Sequence, residues 1–115
     1  MKSKNKQLNR RKRHKRIRMI VRGTNERPRI FVFRSNKYMY AQVIDDEKRK
    51  TLFSISDFKI KSGNKTEKAL KIGESLADQM KEKKMFEAVF DRGGFKFHGR
   101  VSAVAKGLRS GGIKF

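Results

Sequence analysis

Ile30-Phe31-Val32-Phe33-Arg34 and Tyr38-Met39-Tyr40-Ala41-Gln42-Val43-Ile44 are the stretches whose reading decides the fold. Both are dense in β-branched and aromatic residues, which suit a pleated surface and lose side-chain freedom in a helix. Only Ser35-Asn36-Lys37 lies between them, so they read as a hairpin with a short polar turn. Beyond a second polar turn, Asp45 to Lys50, Thr51-Leu52-Phe53-Ser54-Ile55 supplies a third strand. These strands are apolar on both faces. Phe31, Phe33, Tyr38 and Tyr40 cannot all fit under one helix, so the sheet must be covered on both sides or use one side for contact.

Downstream the period changes. Asn64 followed three residues later by Glu67 resembles a capping box with an Asn cap. Ala69, Ile72, Gly73, Leu76, Ala77 and Met80 then form an apolar stripe at helical spacing. Gly73 within it is expected to permit close approach to the sheet, since glycine there otherwise costs about 1 kcal/mol. Ala88-Val89-Phe90 reads as a short buried strand, closed by Asp91-Arg92-Gly93-Gly94. A last helix is expected from about Gly99 to Arg109, stopped by Gly111-Gly112. The expected class is α/β: a basic N-terminal arm, then a small mixed sheet in strand-strand-strand-helix-strand-helix order, with helices packed on the sheet. A helix joining the third and fourth strands is a crossover, right-handed if they run parallel. The expected core is Ile30, Val32, Ala41, Val43, Leu52, Leu70, Leu76, Met80, Val89, Val101, Val104 and Leu108.

Upstream of the hairpin the chain is of another kind. Its 115 residues hold 32 Lys and Arg against 11 Asp and Glu, a formal +21. From Met1 to Arg29 there are 13 basic residues and one acid, Glu26, whereas from Ile30 onward there are 19 and 10. So lopsided a field requires a polyanionic partner. Residues 1–26 therefore read as a basic RNA-binding arm and residues 27–115 as a mixed α/β RNA-binding domain. The large apolar residues of the arm are Leu8, Ile17, Met19, Ile20 and Val21, at spacings that allow a helix. Like charges would repel along its faces, so the arm is expected to be disordered or frayed when free and ordered on binding. Arg27-Pro28 punctuates the chain, because a residue before proline is pushed toward extended backbone.

Other classes of function find little support. There is no cysteine, hence no disulfide, no thiolate nucleophile and no cysteine-based zinc site. No apolar run approaches the roughly 20 residues of a membrane span, and no apolar stretch follows the N-terminal charge as in a secretory signal. Asp45-Asp46-Glu47 is the densest acidic cluster, but three consecutive residues converge poorly on one ion and Lys48-Arg49-Lys50 follow at once. It reads as a solvated, charge-balancing turn, with a metal-dependent nuclease using Asp45, Asp46 and Asp57 as a remote alternative. Asp57 and Asp91 sit at strand ends, where capping or pairing is the ordinary role. His14 and His98 lack a third ligand. No phosphate-cradling glycine loop and no nucleophilic triad stand out. The chain reads as a non-enzyme with no cofactor, no metal and no membrane partner.

Binding chemistry is what remains. Arg10, Arg11, Lys12, Arg13, Lys15, Arg16 and Arg18 form a nearly continuous cationic block, with His14 expected to join them on phosphate. Arginine's planar fork suits phosphate oxygens and also stacks on bases. Two loops extend the set: Arg34-Ser35-Asn36-Lys37, and Arg92-Gly93-Gly94-Phe95-Lys96-Phe97-His98-Gly99-Arg100. The second interleaves cations, aromatics and glycines, a combination suited to irregular RNA. Glycines would let the backbone approach, aromatics stack and cations hold phosphates. Phe95 and Phe97 are each as readily core residues, and His98 either bonds or stacks on a base or is structural. A duplex-DNA reader would present a recognition helix, whereas both helices here commit an apolar face to the sheet. A nucleoid or general DNA-binding protein stands as the alternative.

Several of these segments, in order, resemble one family. They are Arg27-Pro28-Arg29, Val32-Phe33-Arg34-Ser35-Asn36-Lys37, Tyr40-Ala41-Gln42-Val43-Ile44-Asp45, Phe90-Asp91-Arg92-Gly93-Gly94, His98-Gly99-Arg100-Val101 and Gly111-Gly112-Ile113-Lys114-Phe115. With the basic arm they resemble the bacterial large-subunit ribosomal proteins numbered eighteen, the family that binds 5S rRNA in the central protuberance. The resemblance implies helices on a mixed sheet, and a basic arm that orders on RNA. It implies a cytoplasmic, ribosomal role holding 5S rRNA against large-subunit rRNA beside neighbouring ribosomal proteins. It also adds Tyr40 and Gln42 to the candidate rRNA contacts. Where the family tends to have tyrosine before the His-Gly pair this chain has Phe97, so only stacking or packing carries over.

Overall fold

The computed structural model describes residues 2–20, 23–35, 37–58, 60–95 and 97–115, and within these the side chains of all but residues 2–6, 19 and 20. The elements run α1 (Lys2–Ile20), β1 (Arg29–Arg34), β2 (Met39–Asp45), β3 (Lys50–Ser56), α2 (Lys65–Glu82), β4 (Val89–Asp91) and α3 (Gly99–Ser110). The strands form one sheet in the order β3-β2-β1-β4, antiparallel except for the parallel pair β1–β4. This is the expected mixed α/β architecture.

Alternation along the hairpin divides the sheet into two unlike faces. Ile30 and Val32 pair with Val43 and Ala41, and all four are fully buried. With Met39 they meet Ala69, Ile72, Leu76, Ala77 and Met80 of α2 and Val101, Val104 and Leu108 of α3 in one core. Phe31, Phe33, Tyr40 and Gln42 pair with one another on the opposite, outer face. Asn64 caps α2 by accepting from the Glu67 N–H at 2.9 Å, which satisfies one of the orphan donors of the first turn.

Three expected core residues, Leu52, Val89 and Leu70, are only half-buried, the first two because of strand register. The pairing of β3 slips so that Phe53 faces Val43 while Thr51 faces Ile44. Leu52 is the extra residue in that bulge, and Phe53 takes the place expected of it. Val89 pairs with Arg29 on the outer face, leaving Phe90 opposite Ile30 to pack against the core. Leu70 sits where α2 meets α3, its carbonyl against Gly107.

Gly73 also has a different neighbour from the one expected. A side chain there would run into the Val104 carbonyl and Gly107, and one at Gly107 would run into the Leu70 carbonyl. The pair lets α2 and α3 approach backbone to backbone; the sheet is not what Gly73 admits. After α3, Gly112 at φ 99° turns the chain back. Ile113 is then buried, Lys114 exchanges backbone hydrogen bonds with Phe86 and Ala88, and the Phe115 ring stacks on Phe90 at 5.3 Å. The closing Gly-Gly-Ile-Lys-Phe thus seals the core beside β4.

Candidate nucleic-acid interface

The cationic block lies on α1, and helical spacing splits it in two. Arg10, Arg13, His14, Ile17 and Arg18 are half-buried, at the i, i+3, i+4, i+7, i+8 spacing of one helix face. Arg11, Lys12, Lys15 and Arg16 are exposed on the other. The inward residues bond to the body individually, since this helix has no broad apolar stripe. Arg10 lies over the Phe95 ring at 4.8 Å. Arg13 Nε donates to the Gly94 carbonyl at 2.8 Å. His14 stacks on Phe31 at 5.4 Å and sets its Nε2 3.2 Å from Asp91 Oδ2. Arg18 reaches Asp46 Oδ2 at 3.5 Å. His14, expected on phosphate with its neighbours, instead faces the sheet.

Beneath α1 is a buried ionic cluster. Arg29 donates to Asp91 Oδ2 at 2.7 Å and to both oxygens of Asp46, at 3.0 and 3.2 Å. Asp46 Oδ2 also accepts from the Gly23 N–H at 2.7 Å, tying the segment between α1 and β1 to the end of β2. Asp91 Oδ1 accepts from the Gly93 N–H at 2.9 Å and shapes the following turn. Burial pushes the Asp46 carboxyl up, but the hydrogen bonds from Arg29 and Gly23 and the charges of Arg29 and Arg18 outweigh it, leaving its pKa below the ordinary 3.8. The Asp45–Glu47 turn is therefore not the solvated charge-balancer expected from its sequence. Asp45 is wholly buried, its Oδ1 accepting from the N–H groups of Glu47 and Lys48, and Asp46 belongs to the arm's anchor. Among the described residues no group of three or more acids and histidines could hold a metal ion. Asp57 is committed elsewhere, accepting from the Met39 N–H at 2.9 Å.

The two loops named from sequence meet. Arg34 lies over the Phe95 ring at 5.1 Å, so guanidinium groups from α1 and from β1 share one aromatic ring. Arg100 Nη2 donates to the Ser35 carbonyl at 3.4 Å. Ser35 closes the hairpin turn, exchanging bonds with Tyr38, and Lys37 is exposed beside it. Phe95 is buried in the core cluster, whereas Phe97 is 47% exposed, edge-on to Phe90. His98 is exposed at the N-cap of α3 without a capping bond from its side chain. Arg92 turns back to the Phe95 carbonyl at 2.9 Å. Gly99, at φ 58°, faces open space. Asn36 and Lys96 lie outside the described residues.

Gly93 and Gly94 were expected to admit an RNA backbone, but the protein itself fills that space. Gly93, at φ 63°, turns beneath Phe31 and the Val32 carbonyl. A side chain on Gly94 would strike the Arg10 carbonyl and His14. The turn is the seat of α1. Sequence reasoning missed Arg29, Asp46 and Asp91 as the anchor of this surface. Arg29-Pro28 adjacency and an acid at each strand end were the available signals. Through Phe95 and Ser35, the helix that carries the outward cations, Arg34 at the hairpin turn, Arg100 and the outer sheet face with Phe33 and Tyr40 adjoin one another.

Comparison with known proteins agrees in extent with this structure. Residues 4–115 match the family described as ribosomal L18 of archaea, bacteria, mitochondria and chloroplast. The large ribosomal subunit protein uL18 of Lactiplantibacillus plantarum is 53% identical over 108 residues, 92% of each chain. That of Bacillus cereus is 49% identical, covering 96% of this chain and 95% of its own. The Clostridioides difficile protein is 48% identical across all of this chain and 99% of its own. The chain belongs to the ribosomal L18 family.

Proposed function

We propose that this chain is a structural, non-catalytic component of the large ribosomal subunit that binds 5S rRNA and attaches it to the large-subunit rRNA in the central protuberance, beside neighbouring ribosomal proteins. Family membership supports the ribosomal role. The observation that carries the RNA-binding reading is the shared basic surface. Arg11, Lys12, Lys15 and Arg16 stand outward on a helix whose opposite side is fixed to the body by Arg13, His14 and Arg18. Cations gathered on one side of a helix meet a phosphate backbone together, while the loops and sheet carry the groups that distinguish one RNA from another.

Reconstitution of large subunits from purified rRNA and proteins, with this chain alone omitted, tests the reading. The expected particles lack 5S rRNA and regain it when the chain is restored. Full incorporation of 5S rRNA without the chain would overturn the assignment.

A further inference from the structure

We propose that the outer face of the sheet is a second kind of RNA site, an aromatic floor that takes an unpaired base. The inference rests on the RNA-binding reading above and adds a ligand group to it. Phe31, Phe33, Tyr40, Gln42 and Ser54 line an open depression on this face. Phe33, one pair from the turn of the β1–β2 hairpin, leaves 40% of its surface open to solvent. It lies 5.6 Å from Tyr40 with 34° between the ring planes, and edge-on to Phe95 at 6.5 Å. Two half-exposed rings side by side offer a broad apolar surface of about the shape of a base, and any base has a face to stack on it. Gln42 and Ser54 add amide and hydroxyl groups that can both donate and accept at a base edge.

Charge decides between an RNA and an apolar protein segment as occupant. None of the residues lining the depression is acidic. The acids elsewhere on this face, Asp46 and Asp91, are held by Arg29, with Arg18 and His14 adding to them. Arg10 and Arg34 stand at the margin over Phe95, itself against Phe33. Neutral rings bordered by cations fit a ligand with flat apolar units on an anionic backbone. The site also gives a role to the outer sheet face beyond the ground that α1 touches near Phe31, Phe95, Asp46 and Asp91.

The test uses the full chain and its Phe33→Leu, Tyr40→Leu and Tyr40→Phe variants. The probes are a short oligoadenylate carrying one 2-aminopurine, either single-stranded or paired with oligouridylate. The wild-type chain should quench the fluorescent base in the single strand. Each leucine variant should bind that strand about tenfold more weakly, with an unchanged salt slope and weakened quenching. Tyr40→Phe, which keeps the ring, should bind as wild type does, and affinity for the duplex should barely move. Leucine variants that bind and quench like wild type would overturn this site while leaving the phosphate grip intact. Equal losses on single strand and duplex would also overturn it, since the rings would then serve the surface as a whole. A wild-type chain that binds neither probe at low salt would instead sink the RNA-binding reading beneath it.

Discussion

Replacing Arg11, Lys12, Lys15 and Arg16 together with alanine removes four outward, exposed cations of α1 and leaves in place its contacts with the body through Arg10, Arg13, His14 and Arg18. Alanine is the strongest helix former, so the helix should persist. Each neutralised phosphate contributes about 0.7 to 0.9 to the slope of log affinity against log salt. Loss of four contacts should therefore flatten the slope by about 3. Between about 50 and 200 mM salt the variant should lose roughly 50-fold less affinity than wild type does. Anisotropy titration of labelled 5S rRNA across that range measures it, with far-ultraviolet dichroism as the check on helix content. The paired Arg13→Ala, His14→Ala variant is the counter-test, because those side chains are spent on Gly94 and Asp91. Its slope should change by less than about 1. If the four-site variant kept the wild-type slope, or the inward pair flattened it equally, the division of α1 into a docking face and an RNA face would be wrong.

Arg29→Ala should lower stability by about 3 to 5 kcal/mol in urea unfolding, since it removes the arginine partner of the wholly buried Asp91 and two bonds to the half-buried Asp46. The pKa of Asp46 is depressed, so its stabilisation is fully present above the ordinary 3.8 and is lost as pH falls through the lower folded value. The gap in urea midpoint between wild type and Asp46→Asn should accordingly be constant near neutrality and close below about pH 4; a constant gap down to pH 2 would contradict this. Gly94→Ala, at φ 79° and against the Arg10 carbonyl, should dislodge α1 and speed hydrogen exchange in residues 7–18 more than in β2. Gly73→Val should cost more than about 3 kcal/mol by prising α2 from α3, seen as a large fall in melting temperature.

The strands and helices after residue 26 were legible because their signals are local. Alternation marked β1 and β2, the Asn64 cap marked α2, and the glycines after Ser110 marked the end of α3. What remained hidden depends on partners distant in sequence. Nothing near Asp46 reveals that it meets Arg29, and nothing near Gly94 reveals that a helix from the other end of the chain rests on it. Gly73 was rightly marked for close approach, but periodicity names no partner, and the partner was α3. The cationic block was conspicuous as composition, yet its division into inward and outward halves follows from helical phase relative to a surface that the sequence does not display. The same is true of Leu52, displaced by a bulge in β3 that leaves no local signature.

Charge on α1 accounts for grip, and the account assigns the choice of RNA to the folded body. A single competition measurement bears most directly on that claim: labelled 5S rRNA bound to the full chain at physiological salt, displaced by unlabelled 5S rRNA, bulk RNA or duplex DNA. The account predicts that unlabelled 5S rRNA displaces the label at concentrations at least about a thousandfold below those needed of DNA, the lower end of specific-to-non-specific ratios for nucleic-acid readers. Equal displacement by 5S rRNA and random duplex DNA would contradict it and leave a general polyanion binder in its place.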